Sequence, residues 1–439
     1  MESLAQAVRF KTLSSPNYAS VDKRPFEEFI DWLEARYPRV HAAVKRERVG
    51  PWGLLYSWAG LKASAPAVLF TAHFDVVPAP ESQGWTHAPF GGEILDGFVW
   101  GRGAYDDKLI VISIMDAAES LLAEGFTPPC GICFAFGADE EVGGARGAAA
   151  IGSLLRERGA RFEYLVDEGS VIQEDAFRFL RKPAALIGVA EKGHVNYGLV
   201  AGGAGGHASE PIPHDAVSRL AAALCSLERS SPFSTRLSLG VADFFRASSK
   251  WARWPYSLIL RHPEFFKPLI ASLLSRDPKA GAMLRTTMAF TMLEASPLEN
   301  VLPDHARANV NVRLLPGETA ESARRKLESA VSRFGVRVEI RNPDQVNEAL
   351  PESSRASRAY RRISQALAEI APDAVCLPYL VTFSTDTRHY LDLVDDVYRL
   401  TPVRVTKSEL RRMHAADERV SRDNIENCLR FYISLMRDP

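Results

Sequence analysis

Glu140 and Glu141 stand side by side just past the apolar run 131–136, and His73 and Asp75 stand in the same place after another, 67–70. Adjacent carboxylates on a turn point in different directions, so one can hold a cation while its neighbour moves a proton. That division of labour is what metal-assisted hydrolysis requires. Three further segments carry acids or histidine: W-G-R-G-A-Y-D-D-K at 100–108, L-V-D-E-G at 165–169 and H-A-A-D-E at 414–418. Taken singly, each has a plainer reading. A His-x-Asp at a strand end is most often a local hydrogen-bonded pair, Glu140 and Glu141 suit the solvated start of a helix, and Asp106 with Asp107 suits the cap of the helix that follows. There is no G-x-S-x-G, so a serine hydrolase has no nucleophile elbow. The glycines at 202–206 lack the spacing of a dinucleotide or P-loop cradle and read as a tight turn.

Taken together, T-A-H-F-D at 71–75, G-R-G-A-Y-D-D-K at 101–108 and A-D-E-E-V-G-G at 138–144, with the segments around Glu168 and His414, resemble the co-catalytic di-zinc exopeptidase family of aminoacylase, glutamate carboxypeptidase and carboxypeptidase S. Five matches in family order over nearly the whole chain set the plainer readings aside. The resemblance implies two zinc ions, with cobalt or manganese as alternatives because carboxylate-rich sites accept several metals. It makes Asp106 the bridging carboxylate, with His73 and Glu168 on one ion (Glu168 in preference to Asp167) and Glu141 and His414 on the other, and a hydroxide held between them. Glu140 becomes the general base, and Asp75 the acid that orients His73. In the middle of the chain, His207 corresponds to a histidine that stabilises the developing oxyanion, often from a partner subunit. Asn300 and Arg313 correspond to the pair that holds the substrate's free carboxylate, for which an arginine fork is suited. Before Asn300 the chain departs from the pattern: E-A-S-P-L-E at 294–299 stands where relatives tend to have glycines. The segments 190–193 and 285–292 look most like the carboxypeptidase S and N-acyl-amino-acid hydrolase branch. T-D-T-R-H-Y at 385–390 also resembles a family segment near the active site, without a role attached.

The elements that must position these residues read as follows. Apolar positions Phe26, Phe29, Ile30 and Leu33 recur at helical spacing over 25–37. Strands at 67–71, 131–136 and 162–166 alternate with helices at 108–123 and 143–157, which means a largely parallel sheet covered on both faces, with ligands beyond the strands' carboxyl ends. His73, Asp75, Glu140, Glu141, Asp167 and Glu168 all fall there. The texture changes near Gly193: alternating strands at 195–200, 308–314 and 336–340 and helices at 215–227 (Val217, Leu220, Leu224 and Leu227 inward) and 322–334 suggest helices on one face of an antiparallel sheet. A helix at 358–370 resumes the first pattern. The expected fold is therefore α/β, a mostly parallel sheet flanked by helices with an inserted α+β segment, and the resemblance implies that it is zinc exopeptidase-like with the insert as a lid and dimerisation domain. The boundaries are 1–193 and 344–439 for the catalytic domain and 194–343 for the insert. The apolar stretch 251–282 reads as helical; it suits an acyl pocket or, in preference, dimer core.

Composition bounds the partners. With 439 residues, 53 Lys+Arg against 54 Asp+Glu and 46% hydrophobic residues, the chain has no global charge excess for nucleic acid or an anionic membrane, so neither is an expected partner. The expected one is a small peptide or an N-acyl amino acid, with a homodimer formed through the lid. Five scattered cysteines argue against a disulfide framework, and Cys130 and Cys133, three apart on an extended run, face opposite ways. The start of the chain carries no signal-type apolar core, and cytoplasmic is the expected location. The expected activity is hydrolysis of an amide next to a free carboxylate. The alternatives are an N-acyl amino acid synthase/hydrolase acting on fatty acyl chains and a catalytically retired metal-binding scaffold.

Overall fold

The computed structural model describes residues 1–62, 64–274 and 281–439, without the side chain of Asp344. Its larger sheet has eight strands in the spatial order Lys45–Val49, Gly53–Trp58, Ile132–Gly137, Ala67–His73, Phe162–Gln173, Val394–Val405, Ala184–Glu191 and Val375–Val381. The four strands Ile132–Gly137, Ala67–His73, Phe162–Gln173 and Val394–Val405 run parallel. Period-two alternation divides their apolar residues between the faces: Val68, Phe70, Ile132 and Phe134 meet the helices Lys108–Ala123 and Arg422–Arg437, while Leu69, Ala135 and Leu165 meet the helix Ala148–Glu157. The sheet is thus covered on both faces, as an apolar-run reading requires.

A second sheet of four antiparallel strands, in the order Thr287–Glu294, His305–Leu314, Gly193–Gly202 and Val336–Arg341, carries the helices Ala216–Arg229 and Ala320–Val331 on one face. The chain passes from one sheet to the other at Glu191 and Lys192, and both are tied. Arg399 Nε donates to Glu191 at 2.8 Å, while Lys192 Nζ reaches Ala282 O, Arg285 O and Thr287 Oγ1 at 2.9–3.2 Å. Burial lowers the Lys192 pKa to about 7.

Several expectations shift. The helix read at 143–157 begins at Ala148, because Gly143 and Gly144 have φ of 108° and 66° and the Asp139 carboxylate accepts from Arg146 N and Gly147 N instead. The strand read at 162–166 runs on to Gln173, so Asp167 and Glu168 lie within it and not beyond its end. Its register against Val394–Val405 slips between the pairs Asp167–Arg399 and Ser170–Leu400, a bulge of the kind that re-aims side chains beside functional sites. Val217 faces solvent, and the inward stripe of its helix is Ala216, Leu220, Ala223 and Leu227. The stretch 251–282 holds helices at Tyr256–Ile259 and Lys267–Leu274, preceded by an unforeseen helix at Leu239–Ser249; residues 275–280 lie outside the described residues. The buried sides of these helices pack on the edge of the large sheet, against Leu186, Leu377 and Tyr379.

Candidate metal centre

The end of Ala67–His73, the turn after Ile132–Gly137, the bulge within Phe162–Gln173 and the loop of His414 converge on Asp106. Its Oδ1 lies 3.2 Å from His73 Nε2, and its Oδ2 lies 2.9 Å from His414 Nε2. Each histidine has a second carboxylate beside it: Glu168 Oε1 is 3.4 Å from His73 Nε2, and Glu141 Oε1 is 3.1 Å from His414 Nε2. Two histidine–carboxylate pairs therefore flank one shared aspartate. Such a set fits a pair of divalent cations: ligands ~2.0–2.2 Å from a tetrahedral ion lie ~3.3–3.6 Å apart along its edges, close to the spacings seen here. The chemistry of the donor set agrees. Burial first, then the neighbouring Asp106 charge, pushes the Glu168 carboxyl well up, and Asp107 is raised by burial and by Glu168. So many buried acids in one place call for positive charge.

The bulge sends Glu168, and not Asp167, to His73; Asp167 is buried beside Thr71 and Arg399. Gly169 permits the kink, since its φ is 148° and a Cβ there would stand 2.8 Å from Arg399 Cβ. Asp75 is fully buried. Its carboxylate accepts from Glu140 N at 3.1 Å and Glu141 N at 3.2 Å, while Oδ1 is 3.3 Å and its main-chain O 3.1 Å from His73 Nδ1. Glu140 and Glu141 sit on a short 3-10 turn, Glu140–Val142, and the Glu141 side chain is only 8% exposed, so this is no solvated helix start. Asp107 occupies the N-cap of the helix Lys108–Ala123 but makes no side-chain cap bond; its Oδ2 accepts instead from His73 N at 3.3 Å.

Some contributors were not singled out by sequence reasoning. Asp107 groups with His73 and Glu168 as a further set of closely spaced donors. Glu418 accepts from Gly103 N, Tyr105 N and Asp106 N at 2.9–3.2 Å and is paired with Arg102, so it shapes the loop that presents Asp106. Lys108 is buried and donates to Ala7 O and Phe10 O, binding the first helix to the same loop. These residues lay inside the quoted motifs; a role for them required the fold. The segment 385–390 also gains a place: Arg388 Nη2 donates to Gly143 O at 2.8 Å, His389 Nε2 lies 3.2 Å from the same oxygen, and Asp386 Oδ1 occupies the space a Cβ at Gly144 would need.

These residues open into a cavity of about 1130 Å³ whose walls include Asp106, Glu140, Glu141, Glu168 and His414 and, from the second sheet, His194 and Arg313. Arg313 stands opposite His194 in the register of its strands, half-buried, with burial lowering its pKa. His207 and Asn300 do not line the cavity. They lie together at the exposed ribbon formed by Gly206–His207 and Val301–Leu302, where Ala208 N donates to Asn300 O. None of 251–274 lines the cavity either.

Fold and site together define a metal-dependent hydrolase. The pattern of "Peptidase family M20/M25/M40" matches residues 69–438, and the chain belongs to that family. It is 34% identical over 444 residues to "Probable carboxypeptidase S-like 2" of Dictyostelium discoideum, covering 99% of this chain and 84% of that one. It is 35% identical over 417 residues to "N-fatty-acyl-amino acid synthase/hydrolase PM20D1.1" of Danio rerio, covering 94% and 80%. The fold matches that of an M20 family metallo-carboxypeptidase, Sso-CP2 from Sulfolobus solfataricus, with a TM-score of 0.68 at 14% identity, covering 99% of this chain and 98% of that one.

Proposed function

We propose that the chain hydrolyses an amide bond next to a free carboxylate, either a C-terminal peptide bond or the acyl bond of an N-acyl amino acid. The observation that carries this reading is the placing of Glu140 beside two histidine–carboxylate pairs that share Asp106, with Arg313 in the wall of the same cavity. His73, Asp106 and Glu168 would hold one ion and Asp106, Glu141 and His414 the other, and we take both as zinc. When bound, the ions supply Lewis acidity, polarising the scissile carbonyl and acidifying water.

The chain's own residues do the rest. Glu140 removes the proton of the attacking water and returns it to the leaving nitrogen. Burial, aided by the charges of Glu168, Asp386 and Glu141 and opposed by His73, pushes its carboxyl up from the usual range. Asp75 holds His73 and the Glu140 turn in one frame. Arg313 grips the substrate carboxylate. His207 and Asn300 face solvent in one chain, which favours their service to the cavity of a second copy, so we assign a homodimer formed through the segment 194–343, with 1–193 and 344–439 as the catalytic part. We place the protein in the cytoplasm, consistent with five free cysteines.

The reverse reaction, condensation of a fatty acid with an amino acid, is a second reading favoured by the name of the zebrafish relative. It follows from microscopic reversibility at the same residues. A retired scaffold is disfavoured because Glu140 stands free beside the ligands. Metal analysis of the purified protein, beside a hydrolysis screen of N-acyl amino acids and dipeptides, tests the reading. About two zinc per chain and release of free amino acid are expected; absence of metal, or no turnover of either substrate class, counts against it.

A further inference from the structure

Residues 254–274 are apolar on two sides. Phe266, Ile270 and Leu274 recur every fourth residue and pack inward on the edge of the large sheet. Phe265, Leu269 and Leu273 recur at the same spacing one position earlier and face solvent, continued by Leu258 and Trp254. Trp254 is 79% and Phe265 80% exposed, far more than their own core demands. Exposed apolar side chains on two short helices, Tyr256–Ile259 and Lys267–Leu274, and the turns before them, whose inner sides are already packed, need another occupant.

The charges around it name that occupant. From Arg246 to Leu274 there are five Lys or Arg (246, 250, 253, 261 and 267) and one acid, Glu264, which is paired with Arg246. Lys250, Arg253, Arg261 and Lys267 form no ion pair among the described residues, and Lys182 lies 4.4 Å over the Trp251 ring. An apolar ridge bearing tryptophan and phenylalanine with cations at its rim matches the surface of a bilayer: aromatic rings settle at the level of the headgroups while Lys and Arg meet anionic phosphates. A two-fold contact with a second copy fits less well, since it would set these cations against their own counterparts.

We propose that this face rests on the surface of an anionic phospholipid bilayer. No helix among the described residues is long and apolar enough to cross one, so the attachment is peripheral. The near-neutral charge of the whole chain conceals the patch, because acids elsewhere balance it. None of the five ridge residues lines the cavity, so binding and hydrolysis are separable.

The test is co-sedimentation of the full chain with vesicles of phosphatidylcholine alone and of phosphatidylcholine with phosphatidylglycerol. The chain is expected on the phosphatidylglycerol vesicles and to leave them as salt rises. Trp254→Glu with Phe265→Glu should lower partitioning about tenfold or more, at an unchanged melting temperature. Arg261→Glu with Lys267→Glu, which leaves the ridge intact, should remove the preference for phosphatidylglycerol; this pair keeps the test open if the first variant does not fold. Absence of sedimentation with either vesicle, or variants that sediment like the parent, overturns the proposal. So does a concentration-dependent dimer that Trp254→Glu dissolves, which would assign the ridge to a second copy.

Discussion

Asp75 fixes two groups with one carboxylate. It braces the imidazole of His73 from behind and receives both amides of the Glu140–Glu141 turn, so the proposed ligand and the proposed base are set in one frame. Asp75→Asn keeps the shape but loses charge and offers an N–H to one of those amides. Activity should fall about 10–100-fold, in step with metal affinity measured by competition with a chelator. Glu140, proposed to move a proton and bind no ion, should behave differently: Glu140→Ala should cut kcat by about 10² or more with metal content intact. Loss of metal instead would mean that Glu140 and Glu141 have exchanged roles. Arg313 offers a third contrast. If it grips a carboxylate with two donors, amidated substrates should lose most of their kcat/KM, and Arg313→Lys should not restore wild-type rates on the free acid. Equal rates on free and amidated substrates would exclude the clamp.

At the scale of elements, turns and bulges aim these groups. Gly144, at φ 66°, passes so close to Asp386 that a side chain has no room. Gly144→Ala should cost about 1–3 kcal/mol of stability, seen as a lower Tm, and should depress turnover even where the protein stays folded, because the turn carries Glu140. The same features explain what was legible beforehand. The long helices Lys108–Ala123 and Arg358–Ile370 were read to the residue, and the strand at Ala67–His73 nearly so, because uniform apolar runs and 3.6-residue stripes carry that information locally. The late start of the helix at Ala148 was hidden, since nothing local says that Asp139 will take the amides a helix would otherwise use. Glu168, preferred to Asp167 in the sequence, lies 3.4 Å from His73, and the bulge that aims it depends on pairing with Arg399, far along the chain. Alanines misled too: Ala216 and Ala223 pack inward beneath the four-stranded sheet, while the bulkier Val217 is outside. His73, Asp106, Glu141 and His414 were legible as a set through their motifs; Glu418 and Asp107 needed the fold to show what their carboxylates accept.

For the molecule as a whole, the proposed service of a solvent-facing His207 to a cavity it does not line is open to test. His207→Ala should remove most activity while leaving metal content unchanged. Mixed with Glu140→Ala under subunit exchange, it should recover part of the activity if the residue acts across a dimer, since such a heterodimer assembles one intact site. Verified exchange without recovery would assign His207 to its own chain, and full activity of His207→Ala would end its role. The joining of the chain's far ends carries a different implication. Glu418 shapes the loop of Asp106 from 315 residues beyond Gly103, the strand Arg419–Ser421 lies on Phe98–Trp100, and His414 completes the second histidine–carboxylate pair. A chain still being synthesised therefore carries Asp106 and Glu140 long before it carries His414 and Glu418. On the proposed roles, the growing polypeptide is a silent enzyme until residues 414–421 have emerged and docked.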